Sequence, residues 1–244
     1  MQGQSRCYAG AVPEHERSIL AMISIIIPVY NEERIIRKVL GGLQYGDSIE
    51  VIVVDGGSRD RTVEFAAQYP VKVIQSIKNR AVQMNKGAEA SSGDMLLFLH
   101  ADCLLEEGSL KAIQDSLRDG YDGGCLCQRI NSTNFIFRCI EASGSLRAKC
   151  LKVFYGDQAI FVRKDIFLKV GGFDNIPLFE DILFSKKIKK EGKTMVLNKK
   201  VFVSPRRWEE NGIVKATFIN WLLTFGFLLN VPYDRLKKLY HDIR

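Results

Sequence analysis

A histidine and a carboxylate two residues apart, His100 and Asp102, close the apolar run Leu96-Leu97-Phe98-Leu99. Such a run has the length and composition of a strand covered on both faces of a parallel sheet, and in open α/β sheets ligands bind just beyond the carboxyl ends of the strands. An acid placed there points into a ligand site. Polar groups recur at two earlier strand ends: Pro28-Val29-Tyr30-Asn31-Glu32 follows Ser24-Ile25-Ile26-Ile27, and Asp55-Gly56-Gly57-Ser58-Arg59-Asp60 follows the run Glu50 to Val54. A carboxylate at a strand end accepts from a base N–H or a ribose hydroxyl, and glycines let backbone approach a ligand closely. Together they read as a nucleotide pocket without a phosphate loop. The same residue types also favour ordinary βα turns, so neither turn carries the reading alone.

The elements that must position these groups alternate. Glu33 to Leu43 places Ile35, Ile36, Val39, Leu40 and Leu43 on one helical face, and Asp60 and Thr62 can cap a short helix through Tyr69. A third strand is predicted over Val71 to Ile74, a third helix over Arg80 to Ala90 and a fourth strand over Met95 to Leu99. Strands separated by helical patterns imply right-handed βαβ units and a parallel sheet, an α/β fold. Beyond Asp102 the pattern loosens. Leu110, Ile113 and Leu117 mark a helix, Cys125 to Ile130 a strand, Asn134 to Arg147 a helix, Gln158 to Val162 a strand and Phe179 to Lys190 a helix, with Gly171-Gly172 as a break. This half reads as a sheet extension carrying contacts to a second reactant. Residues 1–21 lack periodicity and read as a mobile leader, with Met22 an alternative start; 22–244 reads as one domain, its nucleotide half over 22–103 and its second half over 104–244.

Composition narrows the partners. The net charge of +7 is concentrated in Lys and Arg between Lys186 and Arg207, and no basic stripe interleaved with aromatics marks a nucleic-acid face. A basic rim for phosphate-bearing ligands or an anionic membrane surface is expected instead. Six cysteines, at 7, 103, 125, 127, 139 and 150, form no CxxC pair, which fits reduced thiols and a cytoplasmic protein. No stretch approaches the roughly 18 uninterrupted apolar residues of a membrane span. Ile19 to Val29 follows Glu14 and Glu16 rather than positive charge, so it reads as a buried first strand and not a signal core. Ala216 to Val231 carries Phe218, Trp221, Leu222, Phe225, Leu228 and Leu229 before Arg235, Lys237 and Lys238. It reads either as a helix packed on the core or as a surface helix meeting a membrane or a lipid acceptor at the inner face. The first turn holds no GxGxxG, which excludes a dinucleotide oxidoreductase, and no glycine-rich basic loop, which excludes a sugar nucleotidyltransferase.

Taken together, Ser24 to Glu33, Val53-Val54-Asp55-Gly56-Gly57-Ser58-x-Asp60-x-Thr62, Leu99-His100-Ala101-Asp102, Gly171-Gly172-Phe173 and Glu180-Asp181 resemble the family 2 glycosyltransferases of GT-A fold. Asn79-Arg80-Ala81-x-Gln83-Met84-Asn85, Gly156-Asp157-Gln158, Ile176-Pro177-Leu178-x-Glu180-Asp181 and Arg206-Arg207-Trp208-Glu209 resemble a small soluble branch, the radical-SAM/selenodomain-associated transferases 2. The resemblance implies inverting transfer of a sugar from a nucleoside diphosphate sugar, a UDP- or GDP-sugar, assisted by Mn²⁺ or Mg²⁺. It implies donor contacts from Pro28, Tyr30, Glu32, Asp55, Arg80, His100, Ala101 and Asp102, and a general base at Asp181. Asp102 stands at the last acid of the family's Asp-x-Asp motif and is the implied metal ligand. His100 replaces the first acid and is a second ligand, a nucleotide contact or a filler. Asp157, Gln158, Glu180, Arg207 and Trp208 fall on the acceptor or diphosphate side. Arg206-Arg207-Trp208 resembles the family's Gln-x-x-Arg-Trp motif with Ser204 in place of Gln, which argues against polymer synthesis. The alternative to an enzyme is a non-catalytic nucleotide-sugar-binding protein.

Overall fold

The computed structural model describes residues 21–176, 178–228, 231, 235 and 236, the side chains of Arg207 and Leu228 excepted. The leader expected over 1–21, apart from Ala21, lies outside the described residues, as do Pro177, Leu229, Lys237 and Lys238.

The first half follows its periodicity. Strands β1 (Ile23–Val29), β2 (Ile49–Asp55), β3 (Lys72–Gln75) and β4 (Met95–Phe98) lie in the order β3-β2-β1-β4, all parallel. Helices α1 (Ile36–Gly41), α2 (Thr62–Ala66) and α3 (Arg80–Glu89) make the connections. Because side chains alternate along a strand, Ile23, Ile25, Ile27, Leu97 and Leu99 pack with Ile36 and Leu40 of α1 and Phe65 of α2. Ile26, Leu96 and Phe98 pack on the other face with Ala81, Met84 and Ala88 of α3. Covering both faces is why these strands read as unbroken apolar runs, and each buried Ile or Leu contributes about 1.5–3 kcal/mol. Helix α3 lies so close to the sheet that a Cβ on Gly87 would fall 2.4 Å from Ile26 Cγ2.

The second half extends the sheet. β5 (Cys103–Leu105), α4 (Ser109–Arg118), β6 (Gly123–Ile130) and α5 (Phe135–Leu151) precede a single 3-10 turn, Gly156–Gln158. β7 (Ile160–Arg163), α6 (Lys164–Lys169), α7 (Glu180–Glu191), β8 (Thr194–Val203), α8 (Arg206–Asn211) and α9 (Ile213–Leu228) follow. Among the described residues the sheet order is β3-β2-β1-β4-β7-β6-β8-β5, with β7 antiparallel to β4 and to β6, β8 parallel to β6, and β5 antiparallel to β8. Only Leu99 to Asp102 join β4 to β5. Five Cα steps reach at most about 18 Å, while four flat strand spacings need about 19 Å, so the sheet curls to bring its far edge back towards β4. The curl holds the His100–Asp102 turn between the two halves.

Four elements depart from the periodicity reading: β5, α6, β8 and α8. β8 runs through the segment expected as a basic rim, which is instead divided between α7 and an interior strand. Its alternation is broken where the register with β6 jumps from Leu126↔Leu197 to Cys127↔Lys200, an irregularity that leaves Asn198 and Lys199 out of phase. The late apolar stretch is helical, as α9. Ala216 and Leu223 of it are buried, while Val214, Phe218, Trp221, Leu222 and Phe225 are exposed. Among the described residues no helix is long and apolar enough to cross a membrane.

Candidate active site

A cavity of about 1250 Å³ lies at the carboxyl ends of β1 and β4, walled on the opposite side by α5, the Gly156–Gln158 turn, α7, α8 and α9. Pro28, Tyr30 and Glu32 enter from the end of β1, Arg80 from the start of α3, and His100, Ala101 and Asp102 from the turn after β4. The β1 loop is stiffened by the loop after β2. Asn31 N–H donates to Ser58 Oγ (2.9 Å), Arg59 N–H to Asn31 Oδ1 (2.9 Å), Glu32 N–H to Thr62 Oγ1 (2.7 Å) and Glu33 N–H to Asp60 Oδ2 (3.1 Å). Asn31 can turn the chain there at φ 55° because its short polar side chain tolerates the left-handed region. Asp55 is spent within this brace: its Oδ2 accepts the N–H groups of Gly57 and Ser58, both at 3.1 Å. It is buried behind the cavity wall and is not brought to the lining, because a carboxylate at a tight turn captures its own amides first. Gln83 locks the same edge by donating to Val29 O (2.9 Å) and Val54 O (2.8 Å).

Asp181 sits in the first turn of α7. Its Oδ2 accepts Gly156 N–H and its Oδ1 accepts Ile182 N–H, each at 2.7 Å. Burial, then the neighbouring Glu180 carboxylate, push its pKa up to about 7, against the opposing pull of the Gly156 N–H and the Arg80 charge. Glu180 is itself buried and meets Arg80 Nη1 at 3.3 Å, an ion pair that joins α7 to α3 across the cavity. His100 belongs to this cluster. A Cβ on Gly156 would lie 2.5 Å from His100 Nε2 and 3.5 Å from Asp181 Oδ2, so glycine alone lets the turn, the imidazole and the carboxylate converge. The Nε2 edge of the ring therefore faces the turn.

On the opposite wall, Glu141 of α5 accepts Ile130 N–H at 2.6 Å and pairs with Arg129 (3.2 Å) and Arg138 (2.9 Å), fixing α5 against the end of β6. Trp208 lines the cavity but is largely buried edge-on against Phe137, with centroids 5.7 Å apart. Asp157 also lines the cavity and accepts Gln128 Nε2 at 2.6 Å. Gln158 is buried behind the wall, where its Oε1 accepts from Arg147 Nη2 (2.8 Å) and Tyr155 N–H (3.0 Å). The Arg207 side chain lies outside the described residues. Lining residues absent from the sequence reading are Lys78, whose Nζ sits 3.9 Å from the centroid of Tyr30, together with Gln128, Arg147, Tyr155 and Thr224. Lys78 precedes a helix in which Arg80 was already suspected, which is a usable signal. For the other four no local pattern exists.

Among the described residues no group of three or more His, Cys, Asp or Glu side chains could hold a metal ion by itself. Asp102 offers one cavity-lining carboxylate. That fits a hard cation of the Mg²⁺ or Mn²⁺ type, which commonly takes one or two carboxylates and completes its shell with substrate phosphates and water.

The family model of Glycosyl transferase family 2 matches residues 24–171. The chain belongs to that family. It is similar to an uncharacterized glycosyltransferase of Haemophilus influenzae, 32% identical over 185 residues, 70% of this chain and 63% of that protein. The chain thus spans less than two thirds of that relative's length. Among solved structures it is similar in fold to S. aureus TarS in complex with UDP, with TM-score 0.62, 19% identity, 75% of this chain and 61% of that one. It is likewise similar to the mannosyltransferase PcManGT from Pyrobaculum calidifontis in complex with GDP-Man and Mn²⁺, with TM-score 0.59, 18% identity, 76% of this chain and 57% of that one. The fold is GT-A.

Proposed function

We propose that this chain transfers a sugar, with inversion, from a nucleoside diphosphate sugar to an acceptor hydroxyl, and that Asp181 is the general base. The observation that carries the reading is the half-buried Asp181 carboxylate, pushed up to about 7, across one cavity from the strand-end groups. A base of that affinity is about half ionised at neutral pH and takes a proton readily. In a single displacement the acceptor oxygen bonds to the anomeric carbon, the bond from that carbon to the diphosphate oxygen breaks, and the hydroxyl proton passes to Asp181. Attack from the face opposite the leaving group inverts the centre. Tyr30 and Glu32 serve the base and ribose, while Lys78 and Arg80 serve the diphosphate. A divalent cation held by Asp102 and the donor's phosphates would neutralise the charge that develops on the leaving group. His100, facing Gly156, acts as a spacer for the turn that Asp181 holds.

The UDP and GDP-Man of the similar structures support a nucleotide-sugar donor here. Thermal shift with UDP- and GDP-sugars in Mn²⁺ or Mg²⁺, followed by donor hydrolysis, tests the reading. Stabilisation by a donor with slow release of nucleoside diphosphate is expected. Binding without turnover under all conditions would leave a binding module. The exposed apolar side chains of α9 support peripheral contact with a membrane, expected as flotation with anionic vesicles at low salt.

A further inference from the structure

We propose that Arg147 forms an oxyanion subsite for the acceptor, and that the acceptor is an anionic amphiphile whose apolar portion lies against Trp221 and Phe225. This deepens the transferase reading and rests on it.

Arg147 projects from α5 into the cavity wall. Its guanidinium carbon lies 3.2 Å from the centroid of the Tyr155 ring, Nη2 donates to Gln158 Oε1 at 2.8 Å, and Nε donates to Val153 O at 3.3 Å. All three contacts are neutral. Arg80, by contrast, meets Glu180, and Arg129 and Arg138 meet Glu141. Among the described residues no carboxylate pairs with Arg147, so its guanidinium is clamped by neutral groups alone at the wall of a ligand-sized cavity. Planar guanidinium matches the paired oxygens of a phosphate or carboxylate.

The turn after Tyr155 connects this subsite to the base. Gly156 N–H is bound by Asp181, and Gln158 Oε1 is bound by Arg147, so an acceptor touching both would place its hydroxyl and its oxyanion at opposite ends of one turn. Asp157, between them, has Oδ2 engaged by Gln128. Tyr155 extends the track outward, because its Oη meets Thr224 Oγ1 of α9 at 3.1 Å. Next to Thr224, Trp221 and Phe225 line the cavity yet remain 64% and 61% exposed. An apolar chain leaving the subsite along this line would cover them.

The test uses octyl phosphate as probe, with inorganic phosphate, octanol and octyltrimethylammonium as comparators. Binding is followed calorimetrically on the whole chain saturated with UDP or GDP and Mn²⁺, so that donor phosphate positions are filled. Octyl phosphate is expected to bind saturably, about tenfold or more tighter than either octanol or inorganic phosphate, and the cationic analogue not at all. Arg147→Met should erase the preference for octyl phosphate over octanol, and Arg147→Lys should restore part of it. Trp221→Ser with Phe225→Ser should erase the gain over inorganic phosphate. Unchanged nucleotide binding in each variant reports an intact fold. Octyl phosphate binding no tighter than octanol, or untouched by Arg147→Met, overturns the subsite. Absence of nucleotide binding by the parent chain would instead overturn the transferase reading, and the comparison of probes without nucleotide would still judge Arg147.

Discussion

On the strand-end wall, Tyr30, Glu32 and Asp102 stand on short turns that leave a parallel sheet, and the first of these turns is braced by side chains: Ser58, Asp60 and Thr62 accept the N–H groups of residues 31 to 33, and Gln83 ties β1 to β2. On the helical wall, Asp181, Gly156, Gln158 and Arg147 come from three separate segments and hold one another, and His100 of the strand-end turn packs against Gly156. The first wall is a frame braced from the loop after β2 and from α3. The second is a chain of mutual contacts in which one substitution disturbs several groups. Binding should therefore be controlled from the first wall and chemistry from the second.

The largest effect expected is on chemistry. Asp181→Asn should lower the transfer rate about 10²–10⁴-fold with donor affinity nearly unchanged, measured by turnover and calorimetry on the same preparation. If donor affinity falls while turnover of bound donor persists, the division of labour between the walls fails. Asp102→Asn addresses the other wall. Nucleoside diphosphate affinity should drop about 10–100-fold in Mn²⁺ and little in chelator, since the lost contact is charge-assisted. Gly156→Ala should come next: its Cβ would overlap His100, costing about 1–3 kcal/mol of stability and slowing transfer more than it weakens donor binding.

A pH titration sharpens the comparison with a smaller effect. Transfer should rise along an acidic limb near pH 7 as Asp181 ionises, and Arg80→Met should move that limb to higher pH, because the Arg80 charge holds the carboxyl down. Stability carries the opposite sign. The folded pKa lies above the unfolded value of about 3.9, so the ligand-free protein loses stability as pH rises from about 4 through about 7. Thermal unfolding of Asp181→Asn should lack that loss. Smallest of all, Phe218→Ser should leave unfolding within about 0.5 kcal/mol of the parent, as for other exposed positions, while reducing flotation with anionic vesicles.

Much of the strand-end wall was legible in advance, since apolar runs, helical faces and polar strand ends are local patterns. Tyr30, Glu32, His100 and Asp102 all reached the cavity from such reasoning. Asp55 shows the limit of the method: the residue type and position are right for a ligand contact, yet its own turn amides take the carboxylate. The helical wall was legible only where a resemblance supplied it, at Asp157, Glu180, Asp181 and Trp208. Arg147 and Tyr155 carry no local signature, and β8 hid its alternation behind an irregular register and two lysines.

The sequence by itself determined the parallel βαβ half, because burial on both faces of a sheet writes itself into every strand. It also determined which acids stand at the strand ends. Only the tertiary structure decided what those acids face. The pKa of Asp181, the contact of His100 with Gly156 and the clamping of Arg147 by Tyr155 and Gln158 depend on how separate segments meet in space, and desolvation and Coulomb energies follow distance in space rather than separation in sequence.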